Sequence, residues 1–492
     1  MEEQQQQVNW FDRLDLHTVV EILQFLDCKS LSKLCQTNVT MSILARMLTT
    51  RLPHWKTAHF EKEGETGSSK VSIEEYESKL NDIYSKTSSF SNVGFLFSET
   101  NGFIKKDVTA LASKLHPKCC LIGGCSSAIL SVDNVSISGE NTIHETDHVE
   151  ETKPRFSLSL SNMPDTTRVG FYLDPTEMQD EEDIPQALDS IPQNFDDETG
   201  GWRVIVLFVD HTSYNHCLDG FITAIQKKFT NAQVVGGIMG GTRKPLCIIQ
   251  NQQAQIYDGG IVGMCIGGNT VFSSQISRGC QAISPLARVV DAITDRLKTV
   301  SVDGVKQSAA SLAQECLGRG TMPFLGVSSD LSIGFTLHDI RGVTPQGELV
   351  LASNEVETAK YIQFFNMDAA TSKSDLRHRL EAARRSCASQ SKQVLGGLLF
   401  TCGGRGVQFY EEQDVESTIF AHAMPDIGLS GFFAGGEIGP EALAAAPAES
   451  EFRRGALIQG FTAVFGVFFV PTYSRPSGKI LDEAIAARNL FF

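Results

Sequence analysis

The segment 395–439, LGGLLFTCGGRGVQFYEEQDVESTIFAHAMPDIGLSGFFAGGEIG, restricts the fold more than any other stretch. Its two apolar runs, Val394 to Phe400 and Gly428 to Gly439, are short or glycine-broken and suit buried strands better than helices. Between them lies Cys402-Gly403-Gly404-Arg405-Gly406, a turn whose three glycines open backbone angles closed to other residues. Val407 to Tyr410 is expected as a second short strand. Val415, Ile419 and Phe420 give Asp414 to Ala423 a helical spacing, with Asp414 as its N-cap. Arg405 and Glu437 are the charges that stand out: each lies among glycines at the end of an apolar run, where backbone can approach a ligand closely.

The same pattern starts at Asn92. Val93–Phe97 reads as a strand, Ile104 to Leu115 as an amphipathic helix, and Cys120–Gly123 as a strand entering a Gly123-to-Ser127 turn. Phe156–Leu160 and Val169–Leu173 are further strands. Val204–Asp210 precedes a helix from Cys217 to Phe229 with Leu218, Phe221, Ile222, Ile225 and Phe229 on one face. Val234-Val235 then leads into a turn over Gly236 to Gly241, followed by strands at Leu246–Ile249 and Ile256–Gly267. Alternating strand and helix that ends in strands alone indicates mixed α and β layers. The halves echo each other: Gly236 is followed 23 residues on by Gly259, and Gly436 is followed 24 residues on by Gly460, each within an apolar run. These glycine turns are not phosphate loops, which open a helix, because strands are expected after both.

Further on, Ser284 to Val300 and Ser308–Leu317 are expected as helices, and GVSSD within Phe324–Ile333 as a turn between strands. Leu376 to Lys392 reads as a helix with Arg377, Arg379, Arg384 and Arg385 on its solvent side. At the other end, three short helices fit about Leu16 to Leu26, the segment after Asp27 with Leu31 and Leu34, and Thr40 to Leu52, with Trp55 closing the run. The first is apolar over more than one face, so its surplus surface needs a partner. Glu61 to Ser91 reads as a polar linker with one helix (Ile73, Tyr76, Leu80, Ile83).

A net charge of −16 over 492 residues argues against binding nucleic acid by phosphate neutralisation. Ten carboxylates and no Lys or Arg lie in Asp174 to Gly200, which is expected to be a solvated loop. The twelve cysteines form no CxxC pair, and those in apolar runs, Cys247 and Cys265, are expected to be small hydrophobes. No stretch approaches the length of a membrane span. A soluble, reduced, intracellular protein is expected, with no nucleic-acid or membrane partner.

The CGGRG turn and the GLSGFFAGGEIG strand resemble the C-terminal half of the FIST sensory domain, and the turns at 123–127 and 236–241 resemble its N-terminal half. Leu14, Ile22-Leu23, Phe25-Leu26-Asp27, Leu31 and Trp55 resemble an F-box, with Asp15 where that family usually has proline. Together these resemblances imply an α+β protein: a helical F-box at 8–60, a linker at 61–91, a FIST N-terminal domain at 92–280 with the acidic insertion at 174–200, and a FIST C-terminal domain at 281–480. They imply a non-catalytic, substrate-recognising subunit of a Skp–cullin–F-box ubiquitin ligase, cytoplasmic and nuclear, that recruits protein targets for degradation. A Skp-type adaptor would then dock on Leu14, Ile22, Leu23, Leu26 and Leu31, linking the chain to a cullin scaffold. The FIST resemblance alone implies the alternative, a small-ligand sensor that gates a protein interaction, with Gly236, Gly237, Cys402, Arg405, Gly406 and Glu437 as ligand- or target-binding residues.

No cofactor or metal is expected. His144 and His148 have helical metal-ligand spacing but lie in a polar stretch without an apolar face. Asp210, His211 and His216 offer a conceivable general base, yet no GxSxG elbow accompanies them. Cys402, beside Arg405, is better read as an inert thiol than as a nucleophile.

Overall fold

The computed structural model describes residues 23, 26–27, 30–31, 33, 53–61, 73–87, 89–99, 105–135, 141–147, 155–193, 201–211, 217–240, 245–317, 323–331, 335–351, 355–390, 392–440 and 455–471. Within them the body has four layers: helices, a six-stranded sheet, an eleven-stranded sheet and helices. The two sheets meet in an aromatic core. Phe97 lies 5.1 Å from Phe208 and 5.4 Å from Phe432, and Phe400 lies 5.2 Å from Phe432. Strand alternation explains the layering, since Phe95 and Phe97 enter this core while Leu96 between them packs under the helices Ile73–Ser85 and Lys105–Lys114. On the far side, Leu218–Lys228, Ala369–Ser389 and Val415–Ala423 cover the larger sheet.

Three parallel strand pairs joined by helical segments form the frame: Val93–Glu99 with Cys120–Ser126, Trp202–Asp210 with Gln233–Met239, and Lys392–Cys402 with Leu429–Pro440. Each places a glycine opposite a leucine: Gly123 opposite Leu96, Gly236 opposite Leu207 and Gly431 opposite Leu399. A Cβ at these glycines would lie 2.3, 1.8 and 1.8 Å from the leucine carbonyl oxygen, so a side chain there would break the pair. Gly123 and Gly236 therefore sit inside strands and not in turns. The echo between halves is visible in the sheet order. Ile261–Gly268 flanks the Trp202–Asp210 pair just as Ala463–Pro471 flanks the Lys392–Cys402 pair, and the two inner strands lie side by side, antiparallel.

Several expectations are corrected. Trp55 does not close a helical run; it lies in the strand His54–Glu61, an edge of the six-stranded sheet. Its ring stacks on Phe95 and Phe468, and a Cβ at Gly396 would come within 1.9 Å of it. Ser284 to Val300 is a hairpin, Ala287–Ile293 with Arg296–Val302. Its β-branched residues (Val289, Val290, Ile293, Val300) favour extended chain, and Thr294 turns it at φ 52°. This hairpin belongs to a separate nine-stranded sheet with its own core under the helix Ala309–Leu317. Val407–Tyr410 is a helical turn. The acidic stretch is not plain loop in its described part: Ile184–Asp189 is a helix, and Met178, Ala187 and Ile191 are buried against the Leu218–Lys228 helix. Its acids cap their own turns, Asp174 accepting from Thr176 N and Asp183 from the backbone of Gln179 and Asp180. The long basic helix is present as Ala369–Ser389, with Arg377, Arg384 and Arg385 exposed.

Candidate functional site

The two central strand pairs of the large sheet end at one row. Asp210 is level with Met239, Met239 with Ala434, and Ala434 with Cys402. Gln233–Met239 runs antiparallel to Leu429–Pro440 and Lys392–Cys402 runs parallel to it, so their carboxyl ends arrive at Ala434 from opposite sides. Immediately past the row the register slips between Ala434 and Glu437. The resulting bulge leaves Gly435 exposed in a strand that is otherwise buried up to its last residue. Nothing crowds that point: a Cβ on Gly435 would find Ile238 O at 3.9 Å and His211 Nδ1 at 4.0 Å.

Cys402, Gly403 and Gly404 form one side of this opening, with Cys402 partly exposed and both glycines exposed. Phe461 forms another. It has φ 56°, a strained conformation for a bulky residue. Its ring is 39% exposed, lies against Gly404 and meets Phe324 edge-on at 5.1 Å. That backbone turn has a use: the Phe461 N–H faces the Cys402 sulfur, which also accepts from Gly404 N at 3.4 Å, and the next residue holds Glu437.

Glu437 is fully buried. Its Oε2 accepts from Thr462 N at 3.1 Å and Thr462 Oγ1 at 2.7 Å, while Oε1 has no hydrogen-bond partner among the described residues. Burial pushes its carboxyl up to about 8, against the Thr462 hydrogen bonds, the Arg405 charge and a weaker contact with the Cys402 thiol. Burial, with Glu437 second, pushes the Cys402 thiol up to about 11, so Cys402 is not an activated thiolate.

Arg405 is not a ligand clamp. It is fully buried, and its Nε donates to Glu416 Oε1 at 2.7 Å, its Nη2 to Tyr410 Oη at 3.0 Å, and its Nη1 to the Ser277 carbonyl at 2.9 Å. It pins the Gly403–Tyr410 turn to the end of Val271–Ser277, a strand from the first half. Gly406 serves the same turn. A Cβ there would lie 2.2 Å from Asp147 Oδ2, the atom that accepts from Val407 N and so starts the helical turn. Asp414 occupies the N-cap position of the next helix without capping it; its carboxylate accepts from Glu145 N instead.

The structure thus gathers the six sequence candidates around one strand but divides their roles. Gly237 is level with Glu437 and Gly236 with Ile438, both packing positions, whereas Cys402 and Glu437 border the opening. Phe461, Thr462 and Phe324 escape sequence reasoning, which had weighed His211 only as a general base; the cue for Phe461 was an aromatic residue directly after a glycine, Gly460-Phe461. Of the expected adaptor set, Leu14 and Ile22 lie outside the described residues, Leu23 and Leu31 are buried, and Leu26 is half-buried. His144 lies in a strand, Thr142–Glu145, and stacks on His59 at 3.8 Å; His148 and His216 lie outside the described residues. Among the described residues no three His, Cys, Asp or Glu side chains come together as a metal site, and no helix is long and apolar enough to cross a membrane.

Comparison with family models matches residues 92–304 to the FIST N domain and residues 291–440 to the FIST C domain. The chain carries both FIST domains. The FIST N match contains the first two parallel pairs, and the FIST C match contains the third, up to the end of the Glu437 strand. The exposed Gly435 bulge therefore lies where the two domains share one sheet. An uncharacterized protein of Mycobacterium tuberculosis is 30% identical over 221 residues, covering 42% of this chain and 56% of that protein. Another, from Mycobacterium bovis, is 28% identical over 247 residues, covering 48% and 60%. The match thus spans less than two thirds of either relative.

Proposed function

We propose that this FIST protein is a non-catalytic small-ligand sensor whose ligand enters the crevice at Gly435. One observation carries the reading: Glu437 is a fully buried carboxyl whose Oε1 is left unsatisfied by geometry among the described residues, two residues from exposed backbone. Burial keeps that carboxyl protonated, and an ammonium ligand would displace the proton to solvent and pair with the carboxylate left behind. The aromatic edge of Phe461 and the glycine floor favour a small metabolite with an amine and a compact apolar part. Because Arg405 joins the crevice turn to both halves, a ligand that tightens the turn also tightens their junction. The test is hydrogen exchange with a saturating amine metabolite. Protection should appear at 402–406, 435–437 and 461–462; protection confined to other segments would reject the site.

A second reading concerns the whole chain. Its F-box-like start would make it the receptor of a Skp–cullin–F-box ligase, presenting protein targets and leaving catalysis to other subunits, in the cytoplasm and nucleus. The observation that favours it is local: Ser30 N donates to Asp27 Oδ1, an N-cap that starts a helix where the F-box resemblance has one. Co-expression with a Skp-type adaptor tests it. A one-to-one complex lost with Leu26→Asp supports the reading, and a folded chain that stays alone rejects it.

A further inference from the structure

A cavity of about 660 Å³ lies far from the crevice in the fold, on the helix side of the six-stranded sheet. Its volume is in the range that holds a metabolite-sized ligand. The helix Ile73–Ser85 contributes Leu80, Asn81 and Tyr84, and the end of the neighbouring helix leads to His116. Phe90 stacks on His116 with ring centroids 5.0 Å apart and planes 18° apart, and Tyr84 meets Phe90 edge-on at 6.3 Å. The wall is therefore a set of aromatic faces and edges that suits a flat ring. Burial, then Lys118 and Arg168, push the His116 imidazole down, so it presents a neutral ring.

Charge selects among flat ligands. Lys114 on the wall is already neutralised by Glu77 at 2.9 Å. Lys33, contributed by the N-terminal segment, pairs with no acid among the described residues and adds a positive charge to the rim. We infer that this cavity is a second ligand site, for a planar aromatic monocarboxylate whose ring lies among Tyr84, Phe90 and His116 and whose carboxylate meets Lys33. Because Lys33 lies in the N-terminal segment and the other walls lie in the body, the bound ligand ties the two together. This site does not depend on the crevice reading.

The probe is indole-3-acetate, titrated calorimetrically into the full chain, with tryptamine as the cationic counterpart of similar shape. Saturable binding of indole-3-acetate and none of tryptamine is expected. Lys33→Glu, an exposed charge reversal, should weaken binding at least tenfold. Asn81→Trp, at an exposed helix position, should fill the cavity and abolish binding. Both variants are checked by circular dichroism and must keep the wild-type spectrum; Glu437→Gln should bind the probe as wild type does. The inference is overturned by no saturable binding to the folded wild type, by equal affinity for tryptamine, or by binding that survives both Lys33→Glu and Asn81→Trp.

Discussion

Replacing Glu437 by glutamine gives the sharpest test of the electrostatics at the crevice. Glutamine keeps the size and the acceptor for Thr462 but cannot ionise. In the folded protein the Glu437 carboxyl holds its proton up to about 8, whereas an unfolded chain releases it near the ordinary carboxyl value of 4.5. Between those values unfolding releases a proton, so the stability that Glu437 contributes is complete below pH 4.5 and is lost as pH rises through 8. The slope is about 1.4 kcal/mol per pH unit. Raising pH from 5.5 to 7.5 should then cost the wild type about 2–3 kcal/mol more than Glu437→Gln. Glu145 adds a slope of the same sign, since burial raises it to about 8 too, but it is common to both proteins and cancels in the difference. Urea unfolding followed by tryptophan fluorescence reads this out, because Trp55 and Trp202 are both buried in the body. Parallel pH profiles for the two proteins would refute the argument.

Arg405→Met should destabilise by about 3–5 kcal/mol, because it strands the buried Glu416 carboxylate, and adding Glu416→Gln should restore much of that in denaturant midpoints. Gly236→Ala and Gly431→Ala should each prevent accumulation of folded protein, while Gly455→Ala, with nothing within 4 Å of its added carbon, should stay within about 0.5 kcal/mol of wild type. Gly396→Ala should also destabilise strongly, with a changed Trp55 emission, because the new carbon falls on the indole ring. Cys402, its thiol raised to about 11, should alkylate more slowly at neutral pH than a free thiol and speed up towards pH 11, as thiol-modification kinetics would show.

Strand runs with glycines were legible because their pattern is local: Val93–Phe97, Val204–Asp210 and Val394–Phe400 all fall in strands, and the spaced glycines at 236 and 436 marked two echoing halves. What glycine does there was not legible. Gly236 looks like a turn residue in sequence, yet its role depends on Leu207 arriving opposite it, a contact set by sheet register. Apolar spacing misassigned Ser284 to Val300, where β-branching and the Thr294 turn outweigh a helical period. Trp55 was drawn into a helical run because its true partners, Phe95, Gly396 and Phe468, are distant in sequence. The candidate site divided along the same line. Glu437 and Cys402 stood out as polar groups among glycines, but Phe461 and Thr462 become visible only once Ala463–Pro471 pairs beside Lys392–Cys402. Arg405 was conspicuous as a charge among glycines and was read as a ligand contact, because its partners Glu416, Tyr410 and Ser277 could be found only in three dimensions.

The central claim, a ligand at the glycine bulge, is tested most directly by a thermal-shift screen of primary-amine metabolites against wild type, Glu437→Gln and Gly435→Val. The added side chain at Gly435 has room to fold but fills the opening. The account predicts that at least one metabolite raises the melting temperature of the wild type and of neither variant. No shift across the panel, or a shift that persists in both variants, would contradict it.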